Sequence, residues 1–148
     1  MTVEIIVAVS IIVVSVLAAM TVTQKSISVS RQALHTSQAS LLLEEGAEVT
    51  RILRDNAWSN ISSLSVGTNY YPTFSGTWAF STTPSNIGIF TRTVTVANVN
   101  RDAASGNINV SGMNDLGTKL ITVTVSWTES GKTISKTLSF YIMDIFSL

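Results

Sequence analysis

The chain has 148 residues, with nine basic and nine acidic side chains, a formal net charge of zero and no cysteine. Balanced charge supplies no electrostatic footprint for nucleic acid, and the missing cysteine excludes disulfides, thiolate zinc sites and cysteine nucleophiles. Charged residues make up only 12%, against roughly 25% in soluble domains, so part of the chain is suited to a non-aqueous neighbour.

The first element is "MTVEIIVAVSIIVVSVLAAM". From Ile5 to Val22 nothing is charged, and Ser10, Ser15 and Thr21 are the only polar residues. As a helix this stretch spans roughly 27 Å at 1.5 Å per residue, enough to cross a bilayer core. A secretory signal would begin with a cationic region, but the first cation is Lys25, behind the apolar stretch. For a plain anchor, that flank would hold the C-terminal part inside. The reading preferred here is a segment whose front has already been processed. Glu4 then requires explanation. A lone carboxylate at the edge of an apolar segment carries a desolvation cost of up to a few kcal/mol. An N-terminal ammonium, at Met1 of the same or an adjacent chain, would offset it more strongly than in water.

Next comes "MTVTQKSISVSRQ", dense in hydroxyl and β-branched residues. Side-chain to backbone bonds compete with the helix there. Thr21, Thr23, Ser26, Ser28 and Ser30 therefore mark residues 20–30 as the weakest part of a long helix, open to unwinding during assembly. "RQALHTSQASLLLEEGAEVTRILRDNAW" regains helical chemistry. Leu34, Gln38, Leu41, Leu42, Glu45, Val49, Ile52 and Leu53 advance by threes and fours as one mostly apolar stripe. Glu48 can meet Arg51, and Arg51 can meet Asp55. Gly46 costs about 1 kcal/mol against Ala in a helix and would permit close approach of another element. The helix should run to about residue 56, roughly 80 Å. The remaining chain is too short to cover it, so its first half must bury itself elsewhere.

After Trp58 the period changes to two. Phe90, Arg92, Val94 and Val96 share one face, with Thr91, Thr93 and Thr95 on the other. Ile121, Val123, Val125 and Trp127 alternate likewise, and Ile134, Leu138 and Phe140 are in phase. These are antiparallel strands with one buried face, and "TESGK" is the hairpin turn between the last two. A short strand at Ile108–Val110 and another around Trp78 are expected inside turn-rich loops. The fold class is α+β: a long N-terminal helix, apolar in its first half, packed by its second half on a small antiparallel sheet. The segments are residues 1–30, 31–57 and 58–148.

"MTVEIIVAVSIIVVSVLAAM", with its Thr, hydrophobic, Glu opening, resembles the mature N-terminus of type IV pilins and pseudopilins. "LLEEGAEVTRILRDNAW", "FTRTVTV" and "TKLITVTVSW" look like a cysteine-free branch of them. In that family a glutamate at the fifth mature position neutralises the N-terminal amine during assembly; the matching acid here is Glu4, one residue earlier. The helix-breaking Gly or Pro often found near position 14 or 22 is also absent here, since the first of each are Gly46 and Pro72. The resemblance implies a homopolymeric helical filament at the cell surface for adhesion, twitching motility or DNA uptake. It also implies residence in the cytoplasmic membrane before assembly, a prepilin peptidase, N-terminal methylation and a motor-driven assembly machinery. A pseudopilin or minor pilin of a secretion or priming complex, and a single-pass membrane-anchored binding domain, are the alternatives.

The remaining candidates receive plainer readings. His35 is the single histidine, so Ser-His and multi-His metal chemistry lack a second member, and it reads as a helix-surface residue. Glu44, Glu45 and Glu48 read as a solvated or salt-bridged face. Asp102, Asn107, Asn114 and Asp115 read as turn chemistry rather than a calcium loop. Asn60-Ile-Ser and Asn109-Val-Ser fit the N-glycosylation pattern. Trp58, Trp78, Tyr70 and Tyr71 read as core or subunit contacts. No acid, base, nucleophile or metal constellation points to an enzyme, and no cofactor is implied.

Overall fold

The computed structural model describes residues 1–145. Helix α1 runs from Thr2 to Asn56, and a short helix α2 covers Ser59–Ser62. Six strands follow: β1 (Tyr71–Phe74), β2 (Trp78–Ser81), β3 (Asn86–Ile87), β4 (Phe90–Arg101), β5 (Met113–Glu129) and β6 (Lys132–Met143). The class is α+β, with an antiparallel β1-β2 pair and an antiparallel sheet ordered β3-β4-β5-β6. The chain divides into two compact units, 1–38 and 39–148, which are described separately.

In the second unit, the alternation in β4 and β5 is realised. Phe90, Arg92, Val94, Val96, Ile121, Val123, Val125 and Trp127 are all buried. The apolar ones meet Ala39, Leu43, Val49 and Leu53 of α1 and Ile61 of α2 in one core. Each fully buried Val or Ile contributes about 1.5–3 kcal/mol relative to exposure. The Phe90 and Trp127 rings close one end edge-on, with centroids 5.6 Å apart. The opposite face of the sheet carries hydroxyls in register, Thr93 beside Thr124 beside Thr137 and Thr95 beside Thr122 beside Ser139. β6 is an edge, and its inward phase is only partly covered: Leu138 is 37% exposed, and Lys136 on the same face is exposed. An inward-pointing charge of this kind discourages further strand pairing. Ser130 and Gly131 form the β5–β6 turn with φ of 50° and 75°, the two positive values that a two-residue hairpin loop demands.

Three expectations need correction, and one is extended. The helix stripe is turned from the one drawn through large apolar residues: Leu34, Leu41 and Ile52 are exposed, while Ala39, Leu43, Gly46, Ala47, Val49, Thr50 and Leu53 are buried. Small residues carry this interface because they let the backbone approach the sheet. Gly46 is the closest point, since a Cβ there would lie 2.7 Å from Val123 Cγ1. The short strand expected around Trp78 is β2, and it pairs with a further strand, β1, in a hairpin fastened by Phe74 against Trp78 with ring centroids 5.2 Å apart. Ile108–Val110 makes only a single bridge, from Ile108 to Arg101, because Asn109 and Asn100 turn their polar groups to local backbone instead. Arg51 pairs with Glu48 as expected, but Asp55 pairs with its neighbour Arg54 at 2.7 Å.

Because this core lies within residues 39–145, a fragment of residues 31–148 is expected to be soluble and β-rich. A cooperative melt by circular dichroism checks this, and a non-cooperative trace would show that the sheet needs more of the helix.

Candidate assembly surface

The first unit is built from one physical fact. Met1 through Leu34 are exposed without exception, although most of Ile5–Val22 is aliphatic. α1 is the one helix among the described residues that is long and apolar enough to cross a membrane, and none of its apolar window is buried. A helix that is hydrophobic all round requires a surrounding apolar phase. A lipid phase would also hold the segment helical despite its Val and Ile content, since backbone groups there must bond internally.

The hydroxyl residues within it are turned inward. Ser10 Oγ donates to Ile6 O at 2.7 Å and Ser15 Oγ to Ile11 O at 2.8 Å. Thr21 Oγ1 donates to Ala18 O at 2.7 Å and Thr23 Oγ1 to Ala19 O at 2.9 Å. These bonds spare the hydroxyls a desolvation cost in an apolar phase. Residues 20–30, with Ser26, Ser28 and Ser30, are helical throughout in this state. The unwinding expected of residues 20–30 is not present in this state, and Thr21 and Thr23 bond back to the helix instead of breaking it.

At the tip, the Met1 ammonium lies 3.4 Å from Glu4 Oε2, and both groups are almost fully exposed. In water such a pair contributes at most about 1 kcal/mol. In an apolar phase the attraction grows, and an unpaired member is costly. The pair therefore makes the helix tip formally neutral.

In the second unit, the polar residues named from sequence have structural tasks. Arg92 is 3% exposed and reaches Glu45 at 2.8 Å and the Leu42 carbonyl at 3.4 Å. This clip between helix and sheet went unread in the sequence, although alternation places Arg92 on the core face. Glu44 and Glu48 are exposed, while His35 is half-buried rather than on the open surface. Tyr70 is buried, and its hydroxyl accepts from Ser65 N at 2.9 Å. Trp58 and Trp78 pack partly against the core, and Tyr71 is half-buried at the start of β1. Asn60 Nδ2 donates to Leu53 O at 3.0 Å, closing the end of α1, whereas Asn109 lies in an exposed turn.

The acidic loop residues make turns. Asp102 Oδ1 accepts from Ser105 N at 2.8 Å and Ala104 N at 3.1 Å, and these bonds together with that of the Ser105 hydroxyl hold its carboxyl below the ordinary value. Asp115 bonds Thr118 and pairs with Arg101 at 2.6 Å, which keeps its carboxyl low as well. Depression of a folded-state carboxyl means that protons bind the unfolded chain more readily. The stability Asp115 contributes is thus complete above about pH 4 and is lost as pH falls through its lower folded value. Asp115→Asn is expected to cost about 1 kcal/mol at pH 7 and to flatten the acid limb of the stability curve, as read by urea melts from pH 7 to pH 2.

The long apolar N-terminal helix followed by an antiparallel sheet is compatible with a pilin-like fold. Comparison with protein-family models, curated proteins and solved structures finds no match.

Proposed function

We propose that the chain is the structural subunit of a type IV pilus-like filament, held in the cytoplasmic membrane by its apolar helix and then polymerised through it. One observation carries this reading: an uncovered, all-round apolar helix whose tip is a paired ammonium and carboxylate. A membrane anchor alone would explain the apolar length and leave Glu4 as an interfacial acid paired with its own ammonium. An assembling helix gives Glu4 a use, since each incoming chain brings an ammonium into an apolar bundle.

Leaving lipid for a helix bundle gains little from hydrophobic burial, because lipid tails are as apolar as the partner helices. Packing must supply the energy, and Ala8, Ala18 and Ala19 with the inward-bonded Ser10 and Ser15 let helices come close. Head-to-tail contacts that do not close then yield a fibre. Adhesion, motility or DNA uptake would follow from what the fibre touches and what motor retracts it.

The test is to shear cells that produce the full chain, pellet the released material, and identify its main protein by mass spectrometry. The proposal expects thin fibres with this chain as their dominant component. Recovery as a trace component would favour a pseudopilin or minor pilin. Retention entirely in the membrane as a detergent-soluble monomer would favour an anchored binding domain.

A further inference from the structure

Two Asn-X-Ser triplets occur in the chain, and the structure treats them oppositely. Asn60-Ile61-Ser62 lies wholly in α2, which opens at Ser59. Its amide nitrogen is committed to Leu53 O, and the central Ile61 is 0% exposed, locked into the core. Asn60 is itself exposed, but drawing the whole triplet into a transferase in an extended form would break its bond to Leu53 O and extract Ile61 from the core.

Asn109-Val110-Ser111 lies outside the strands, in the connection between β4 and β5. All three residues are exposed, and Val110 is 93% exposed. The backbone is pinned: Asn109 N donates to Asn100 O at 3.0 Å, Gly112 N donates to Asn109 O at 3.1 Å, and Asn100 Nδ2 donates to Val110 O at 3.1 Å. Within the triplet, Ser111 N donates to Asn109 Oδ1 at 3.2 Å. The carboxamide oxygen is therefore occupied, while its nitrogen has no partner among the described residues. An amide nitrogen is ordinarily a poor nucleophile, because its lone pair is delocalised into the carbonyl. A transferase must overcome that delocalisation itself, and at Asn109 it reaches an exposed nitrogen without first breaking a side-chain hydrogen bond.

We infer that Asn109, and not Asn60, is an N-linked glycan acceptor, modified from a polyprenyl-diphosphate-linked saccharide by a membrane transferase that reads Asn-X-Ser/Thr. In the step, Asn109 Nδ2 attacks the anomeric carbon and forms a C–N bond. The C–O bond to the diphosphate breaks, polyprenyl diphosphate leaves with the bonding pair, and one Nδ2 proton passes to a carboxylate of the transferase. No oxidant or reductant is involved. The inference rests on one part of the proposed function, namely that the second unit lies outside the cytoplasmic membrane.

The experiment uses full-length chain from its native cells. Intact cells are first labelled with a membrane-impermeant amine reagent, for which Lys132 and Lys136 are exposed. Peptides containing Asn60 and Asn109 are then mapped by electron-transfer mass spectrometry. The expected result is external labelling, a hexose- or N-acetylhexosamine-containing mass on Asn109 and an unmodified Asn60. The intact-mass increment should vanish in Asn109→Gln and in Ser111→Ala and persist in Asn60→Gln. An unmodified Asn109 on an externally labelled chain overturns the acceptor assignment while leaving export intact. Equal modification of Asn60 overturns the geometric selection. Failure of the lysines to label in intact cells, with labelling after lysis, overturns the export reading and the modification with it.

Discussion

Gly46→Leu is expected to abolish the cooperative melt of the helix–sheet unit, and Gly46→Ala to lower its melting temperature by about 4–8 °C. Gly46 lies mid-helix, where exchanging Gly for Ala ordinarily gains about 1 kcal/mol. Here the added Cβ would sit 2.7 Å from Val123 Cγ1 and 3.3 Å from Arg92 Cδ. Val123 is 0% exposed and stiff at χ1, so the methyl has no low-cost retreat. Overpacking of this kind costs about 1–3 kcal/mol, which offsets the helix gain and leaves a net loss of about 1 kcal/mol. Leucine adds three further carbons at the same point, and the helix must lift off β5. That displaces Arg92 from Glu45 and Leu42, leaving a buried guanidinium poorly partnered at a cost of several kcal/mol. Against a total stability of about 5–15 kcal/mol, the sum is decisive. Thermal melts of the full-length chain in detergent check both variants, and a Gly46→Ala protein more stable than the parent would show that the approach is not tight.

Glu4→Ala is expected to lower filament yield at least tenfold while leaving the melt of the second unit unchanged. The acid is remote in sequence from the core and, among the described residues, pairs with the Met1 ammonium at 3.4 Å, so loss of folding cannot explain such a result. In an apolar bundle, an unneutralised ammonium costs about 2.5–3.5 kcal/mol on insertion scales, more than the 1.4 kcal/mol that makes a factor of ten. Glu4→Asp, which keeps the charge, should restore part of the yield. Quantitative immunoblots of sheared and membrane fractions decide the matter. Normal yield from Glu4→Ala would remove the docking role from this residue.

Much of this architecture was legible in the sequence, for reasons that can be named. The apolar run after Glu4 has one solution in lipid, a helix, and α1 follows it. Strict alternation in β4 and β5 placed even Arg92 on the core face, where it is buried. Gly46 was legible as a point of close approach, and it is one; what escaped was the rest of the small-residue face around it. Ala39, Gly46, Ala47 and Thr50 carry weak hydropathy signals, yet they form the helix face because closeness, not apolar bulk, is what the sheet requires. The strand at Trp78 was legible, but its partner β1 escaped because it is only four residues long and is held by rings rather than by alternation. For the assembly surface, Met1, Glu4 and the Ser/Thr run were legible as chemistry, and their pairing partners in a polymer are a property of more than one chain.

The central claim is that the uncovered apolar helix becomes the core of a polymer. The most direct measurement is a cryo-electron-microscopy reconstruction of the fibres sheared from cells, at a resolution that traces side chains. The account predicts that residues 1–30 form a central helical bundle, with Glu4 within hydrogen-bonding reach of an N-terminal ammonium and the sheets outside. A fibre whose subunits meet through their sheets, with the apolar helix outside the core and Glu4 in solvent, would contradict it.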